Sequence, residues 1–402
     1  MFRYVEELAE NIGPRGSTTR AERNAAKYLT EILEPVADEV TSQPFRSVPT
    51  FSWAYGLYYF FMVVAAILIP LVPVAAALLV LLNCFAYLME SHTFEAYTKI
   101  LPKGKSQNII ARKGKPSPEE ERPRIILVAH YDTSRSGLNF HPKLVPGFRQ
   151  SFILLNICMA VVFILALGAG ILTLFGQKML PIYGYLSLPF AAYLFFSVLL
   201  LIHREIWGVH VPGGNDNASG VAVMLDSFQK LGRDLPAGAE VWAVATGCEE
   251  AGTVGMLRFL EEYGEEIKDD YIINLDNLGI GYLKYIVGEG MFTAMAADRD
   301  LVLAAAAFAR ENPELSISSH VYKALTTDAT PALARGHKVM SIMAFDANGV
   351  LPNWHWPTDK AQFVNPDNLE AASNLVQSVA RQIWKHAPAV PNTDADPLLK
   401  SS

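Results

Sequence analysis

Ile125-Ile126-Leu127-Val128-Ala129-His130-Tyr131-Asp132 is an apolar run followed at once by an imidazole and, two positions on, by a carboxylate. A short continuous apolar run between polar residues reads as a strand buried on both faces, the kind a parallel sheet needs when helices cover both its sides. Working outward, Val241 to Thr246, Tyr271 to Leu275 and Val339 to Phe345 read the same way. Helical spacing lies between and around them. Residues 2 to 12 and 20 to 34 carry it, with Leu29, Ile32 and Leu33 on one face. Ser219 to Leu231 is predicted helical, with Val221, Met224, Leu225, Phe228 and Leu231 on one face and Gly232 as its stop. Pro366 to Trp384 follows with Asn365 as its N-cap. Strands alternating with helices predict an α/β domain, a largely parallel (mixed) sheet sandwiched by helices.

Composition adds a second element. The 402 residues are 51% apolar and only 18% charged, against about 25% charged in an ordinary soluble domain. The excess is concentrated. Arg46 and Glu90 bound a stretch with no charge at all, and the apolar sequence resumes from Phe152 to Phe175 and from Tyr183 to Ile202. Each block is about twice the ~20 residues needed to cross a bilayer, so each is predicted to be a hairpin. The spans are 51 to 70 and 73 to 89, then 152 to 175 and 183 to 202, and Ile153 to Phe175 shows no polar stripe of the kind a core helix carries. The expected organisation is one domain in three pieces, 1–50, 90–150 and 204–387, interrupted by transmembrane hairpins 51–89 and 151–203 and followed by a flexible tail, 388–402. Arg46, Lys99, Lys103, Lys105, Lys143, Arg149 and Arg204 fall on one side of four such spans and Lys178 alone on the other. The positive-inside rule then places the domain and both termini in the cytoplasm. Three scattered cysteines, Cys84, Cys158 and Cys248, agree with a reducing compartment. A net charge of -7 argues against a nucleic-acid partner, which calls for a basic face.

In an open α/β sheet chemistry collects beyond the carboxyl ends of the strands. The residues expected there are His130 and Asp132, then Asp216 in Gly213-Gly214-Asn215-Asp216-Asn217-Ala218-Ser219-Gly220, Glu249-Glu250, Asp276, and His355 with Asp359 in Trp354-His355-Trp356-Pro357-Thr358-Asp359. Two imidazoles among carboxylates suit a pair of zinc-like ions sharing a carboxylate. Two divalent cations balance Asp216, Glu250, Asp276 and a bridging hydroxide, whereas one would leave the cluster anionic. Of the adjacent pair Glu249-Glu250, one can ligate while the other acts as general base on an acidified water. Asp132 is placed to hold the far ring nitrogen of His130, and Asp359 that of His355. His141, His203 and His210 read as interfacial rather than as ligands.

These motifs, His130-x-Asp132, Asp216-Asn217-x-Ser219-Gly220, Glu249-Glu250-x-Gly252, Asp276 and a terminal His355, resemble the co-catalytic zinc exopeptidases, the family of bacterial leucyl aminopeptidase and glutamate carboxypeptidase, with glutaminyl cyclase as a variant. The likeness takes in Gly13-Pro14-Arg15 and Gln107 to Ala111 as well. It implies that Asp216 bridges two Zn2+ (Co2+ or Mn2+ substituting), followed by a cis peptide to Asn217. His130 and Asp276 would complete one site, Glu250 and His355 the other, with Glu249 as base. Thr327-Asp328-x-x-Pro331 looks like a family element that gives Asp328 a supporting role. Trp354 and Trp356 flank His355 as candidate pocket residues. The chain departs from the family's soluble members in the hairpin inserted between His130 and Asp216.

The expected activity is that of a membrane-bound metallo-exopeptidase, an aminopeptidase acting on short peptides, with the bilayer as its other partner. The alternatives are a carboxypeptidase or dipeptidase, a single-zinc cyclase-like acyltransferase, and an inactive membrane scaffold. The spans hold no ionisable residue of the kind transport uses, so anchoring is the role read for them. Oligomeric state has no signal in the sequence.

Overall fold

The computed structural model describes residues 1–115, 122–177 and 182–386; Lys178 and the expected tail lie outside them. Among these residues the sheet has nine strands: β1 (Glu39–Ser47), β2 (Gly104–Gly114), β3 (Ile125–His130), β4 (Glu240–Thr246), β5 (Tyr271–Leu275), β6 (Tyr282–Glu289), β7 (Met295–Ala296), β8 (Ser318–Tyr322) and β9 (Lys338–Phe345). Their order is β1-β2-β4-β3-β5-β9-β6-β7, with β8 pairing β6. The centre, β4-β3-β5-β9, is parallel. Antiparallel pairs flank it at β1/β2, β2/β4 and β6/β9, so the sheet is mixed.

Alternation explains why the central strands read as solid apolar runs. Ile125, Leu127 and Ala129 of β3 enter one core and Ile126 and Val128 the other, because successive side chains of a strand point to opposite faces. The first core is closed by α1 (Arg20–Leu33), α6 (Gly220–Arg233), α8 (Arg299–Glu311) and α9 (Pro366–His386), the second by α7 (Val254–Tyr263). Asn365 caps α9 through the amide of Asp367 at 2.9 Å. Helix α6 does not stop at Gly232 but runs one residue further, since one glycine weakens a helix without breaking it.

The apolar blocks form α2 (Ser52–Leu68), α3 (Pro73–Ser91), α4 (Phe148–Leu174) and α5 (Ile182–Trp207), which pack into a separate core of their own. Among the described residues, three helical segments are long and apolar enough to cross a membrane: Pro73–Ser91, Val145–Leu174 and Ile182–Trp207. Ser52–Leu68 is equally apolar but shorter, at 17 residues.

Arg204, near the end of α5, joins bundle and sheet. Its guanidinium donates to Thr50 Oγ1 at 2.9 Å and Ser52 Oγ at 2.8 Å at the head of α2, and to the Arg135 carbonyl at 3.0 Å and Ser134 Oγ at 3.2 Å in the loop after β3.

Candidate metal centre

Because β3, β4, β5 and β9 are parallel, their carboxyl ends share one edge, and the segments leaving them converge there. The structure brings His130, Asp216 and Asp276 into one group and Asp216, Glu250 and His355 into another, all buried, with the candidate ligand atoms of each group within 4.8 Å of one another. Asp216 belongs to both. Its Oδ1 lies 3.3 Å from His130 Nε2 and its Oδ2 3.3 Å from His355 Nε2. His130 Nε2 is 3.6 Å from Asp276 Oδ1, and His355 Nε2 is 3.3 Å from Glu250 Oε1.

Local sequence explains the convergence. The peptide from Asp216 to Asn217 is cis. Asn217 then donates to the Leu275 carbonyl at 2.9 Å and accepts from the Asn277 amide at 3.2 Å. Asn215 accepts from the Gly279 amide at 2.7 Å, and Ser219 from the Leu278 amide at 2.9 Å. The polar residues around Asp216 thus fasten it to the loop that carries Asp276. Gly220 is required by closeness: a Cβ there would stand 2.3 Å from the Leu275 carbonyl oxygen.

Asp132 does more than the expected task. Its backbone carbonyl is 3.2 Å from His130 Nδ1 and its carboxylate 3.6 Å. The same carboxylate accepts from the amides of Glu249 at 3.0 Å and Glu250 at 3.2 Å and from Ser17 Oγ at 2.6 Å. One side chain therefore positions both the first imidazole and the Glu249-Glu250 turn.

Asp359 differs from expectation. It does not hold His355, whose Nδ1 is buried without a hydrogen-bond partner among the described residues. Its carboxylate instead accepts from the amides of Asn215 at 2.7 Å and Asp216 at 3.0 Å, so it supports Asp216. Two backbone donors aimed at one carboxylate outcompete a single ring nitrogen. Asp328 is buried beneath the strand ends, accepting from Thr246 Oγ1. Trp354 lines the cavity above the cluster with Phe140 and His355. Trp356 packs edge-on against His141.

Electrostatics test the fit to cations. Burial pushes the Glu249 carboxyl well above its usual range; His130 opposes this, while Glu250, Asp328 and Asp276 reinforce it. Burial, with nearby Asp132 and Asp276, likewise raises Asp328 to about 7, against the pull of His130 and of the Thr246 hydroxyl. Burial disfavours a charged His355, yet Glu250 and Asp216 overcome it and raise it to about 9. Asp216 is held well below its usual range, because the two imidazoles on its oxygens outweigh burial. Glu250 Oε1 is buried with no hydrogen-bond partner among the described residues. Clustered buried carboxylates and an orphaned oxygen need positive charge to be stable, and a His/Asp/Glu donor set suits zinc.

Two supporting residues lie in stretches that the family likeness takes in without giving them a role. The guanidinium of buried Arg15 donates to the carbonyls of Leu8 at 2.5 Å, Tyr131 at 2.8 Å, Pro212 at 2.9 Å and Gly213 at 3.1 Å, drawing the loops of His130 and Asp216 together. Burial lowers its pKa to about 10, with Asp359, Asp132 and Asp216 opposing. Asn108 of β2 clamps the turn after β4, donating to the Gly255 carbonyl at 2.8 Å and accepting from the Gly247 amide at 3.1 Å. The signal for Arg15 was the family likeness of Gly13-Pro14-Arg15, which carries no indication of what the guanidinium binds.

A mixed sheet with a doubled His/carboxylate cluster at its parallel strand ends defines the class as an α/β protein resembling the co-catalytic zinc exopeptidases. Residues 197–380 match Peptidase family M28, a segment that carries Asp216, Glu249, Glu250, Asp276 and His355, with His130 ahead of it. Aminopeptidase YwaD of Bacillus subtilis (strain 168) is 26% identical over 178 residues, 43% of this chain and 38% of that protein. The chain therefore matches well under half the length of that relative. BSAP, a zinc aminopeptidase from Bacillus subtilis, superposes with a TM-score of 0.57 at 18% identity over 96% of both chains. An Acidobacteriales bacterium glutaminyl cyclase does so with 0.55 at 12% identity, over 96% of this chain and 93% of its own. At these identities the likeness of the two structures is one of fold.

Proposed function

We propose that this chain is a membrane-anchored di-zinc exopeptidase, an aminopeptidase that removes N-terminal residues from short peptides, with its α/β domain and termini on the cytoplasmic face. The observation that carries the reading is Asp216, whose two carboxylate oxygens each face the imidazole of a different candidate ligand group at 3.3 Å. His130 and Asp276 would hold one ion, Glu250 and His355 the other, with Asp216 shared.

Bound there, zinc supplies Lewis acidity and lowers the pKa of water into the neutral range. The chain's own residues do the remainder. Glu249 is not in the proposed ligand set, and its raised basicity suits a group that takes a proton from water and passes it to the leaving amine. Asp132 holds the Glu249-Glu250 turn and His130 in fixed relation. Trp354 and Phe140 keep the cavity above them apolar, which strengthens each electrostatic contact inside.

Metal content per chain, measured on wild type and Glu249→Gln together with hydrolysis of N-free and N-blocked peptides, tests the reading. About two metals in both proteins are expected, with cleavage of only the N-free peptides and a loss of about 10²- to 10⁴-fold in Glu249→Gln. One metal or none, without hydrolysis, would overturn it and move the weight to the cyclase-like or scaffold alternatives.

A further inference from the structure

The cavity of about 450 Å³ that contains His130, Asp216, Glu249, Glu250, Asp276 and His355 does not end at the sheet. It continues between three helices of the bundle, lined by Tyr55 and Tyr59 of α2, Phe152 and Leu155 of α4, and Phe196 and Leu200 of α5. Spacings of three or four residues within each set put each on a single helical face. The lining residues of α5 extend from Tyr193 through Phe196, Ser197 and Leu200 to Leu201, a helical rise of about 12 Å. Phe196, one of its lining residues, is 55% exposed, so the slot is not sealed along α5.

We propose that this slot binds one aliphatic chain, and that the enzyme's substrates are amphiphiles: amino-acid or short-peptide amides whose polar end carries the scissile bond and whose single tail lies between α2, α4 and α5. The inference rests on the exopeptidase reading and names the substrate class of that same site. A peptide strand fits the slot poorly, because its amides would lack partners in an apolar wall. Among the lining polar groups the Ser197 hydroxyl donates to the Tyr193 carbonyl at 3.0 Å and the Tyr193 hydroxyl to the Ser151 carbonyl at 3.4 Å. What remains along the helices is the hydroxyl of Ser151 and the phenols of Tyr55 and Tyr59. A hydrocarbon tail asks for no more. At the polar end Asn139 Oδ1 is a buried acceptor without a partner among the described residues and lines the same cavity, available to a substrate N–H. Hydrolysis then breaks the C–N bond of the amide, the water oxygen stays on the acyl carbon, and the leaving nitrogen takes the proton.

The test uses the full chain in lipid nanodiscs and a series of leucine n-alkylamides of increasing length. Referred to aqueous concentration, kcat/KM is expected to rise about fourfold per methylene until the slot is filled, then to level off. Partition into lipid alone would also produce a rise, so Ser197→Trp, whose indole occupies the slot, separates the two: the ratio of long-chain to short-chain kcat/KM should fall about tenfold or more. An unchanged ratio, with short N-free peptides still cleaved, overturns the slot and leaves the exopeptidase reading standing. Photo-crosslinking of wild type with a leucine amide bearing a diazirine in its tail gives a readout free of turnover. Labelling confined to residues 51–59, 148–155 and 193–201 supports the slot even where no amide is hydrolysed, in which case the exopeptidase reading fails alone. Labelling spread over the outer face of α3 overturns it.

Discussion

Helices α6 and α3 bury their surfaces by opposite rules. In α6 the buried face is large and apolar, with Val221, Met224, Leu225 and Phe228, while Lys230 and Arg233 mark its outer end. In α3 the buried positions are Ala76, Ala77, Val80, Asn83, Tyr87 and Ser91, mostly small, and large side chains such as Leu82, 71% exposed, and Phe85, 66% exposed, point outward. Helix α4 also buries small residues, Ala166, Ala169 and Gly170, beside the larger Leu155, Met159 and Val162, and turns Ile164 outward. Water drives large residues inside; hydrocarbon does not, so helices in lipid associate through small residues that allow close approach. The sheet domain follows the first rule, and the bundle's small buried residues are what the proposed membrane anchoring would call for.

Four substitutions would break or sharpen this contrast. Arg15→Met should destabilise the sheet domain most, by on the order of 4 kcal/mol, because several buried carbonyls lose their donor together; denaturant unfolding of the purified chain would show it. Leu82→Arg on the outward face of α3 should cost about 2.5 to 3.5 kcal/mol of membrane insertion, seen as loss from the membrane fraction, whereas an exposed leucine of a soluble helix would tolerate it. A cost under 0.5 kcal/mol would remove the lipid from the comparison.

His210 lies between the two regions, and burial, with Arg135 and Arg204 nearby, lowers its pKa to about 4. Its folded pKa lies below the unfolded value of 6.5. The unfolded chain therefore takes up the proton first, and this contribution is intact above pH 6.5 and lost as pH falls toward 4. Up to about 3 kcal/mol of pH-dependent stability follows, and His210→Asn should flatten the melting temperature across that window. Smallest is Gly170→Leu. A Cβ there already meets Ala77 Cβ at 2.4 Å and the Pro73 carbonyl at 3.1 Å, so overpacking should cost about 1 to 3 kcal/mol and loosen the α3–α4 contact, measurable as faster proteolysis in detergent.

What could be read from the sequence divides along similar lines. Central strands, the motif around Asp216 and the apolar helices were legible because each is a local pattern: a period, a cap or a run of one polarity. The order His130, Asp216, Glu249-Glu250, Asp276, His355 was legible as a set because parallel strands deliver their ends to one edge. Strand β6 and the edge strand β8, mixed in composition, carried no such pattern. Asp359 was read as a partner of the nearby His355, yet its donors lie across the chain at Asn215 and Asp216, which no spacing announces. Neither could the slot be read, since it is a space between one consecutive helix pair, α4 and α5, and the distant α2, which only the folded packing brings together.

Arg204 gives the molecule a mechanical property. Its guanidinium grips the head of α2 and the loop that follows His130 at the same time, and its backbone belongs to α5. Those hydrogen bonds tie the loop and the two helices to one side chain. On the membrane-anchored reading proposed above, a tilt of the bundle in a thicker or thinner bilayer would pull first on the edge of the sheet where the imidazole stands.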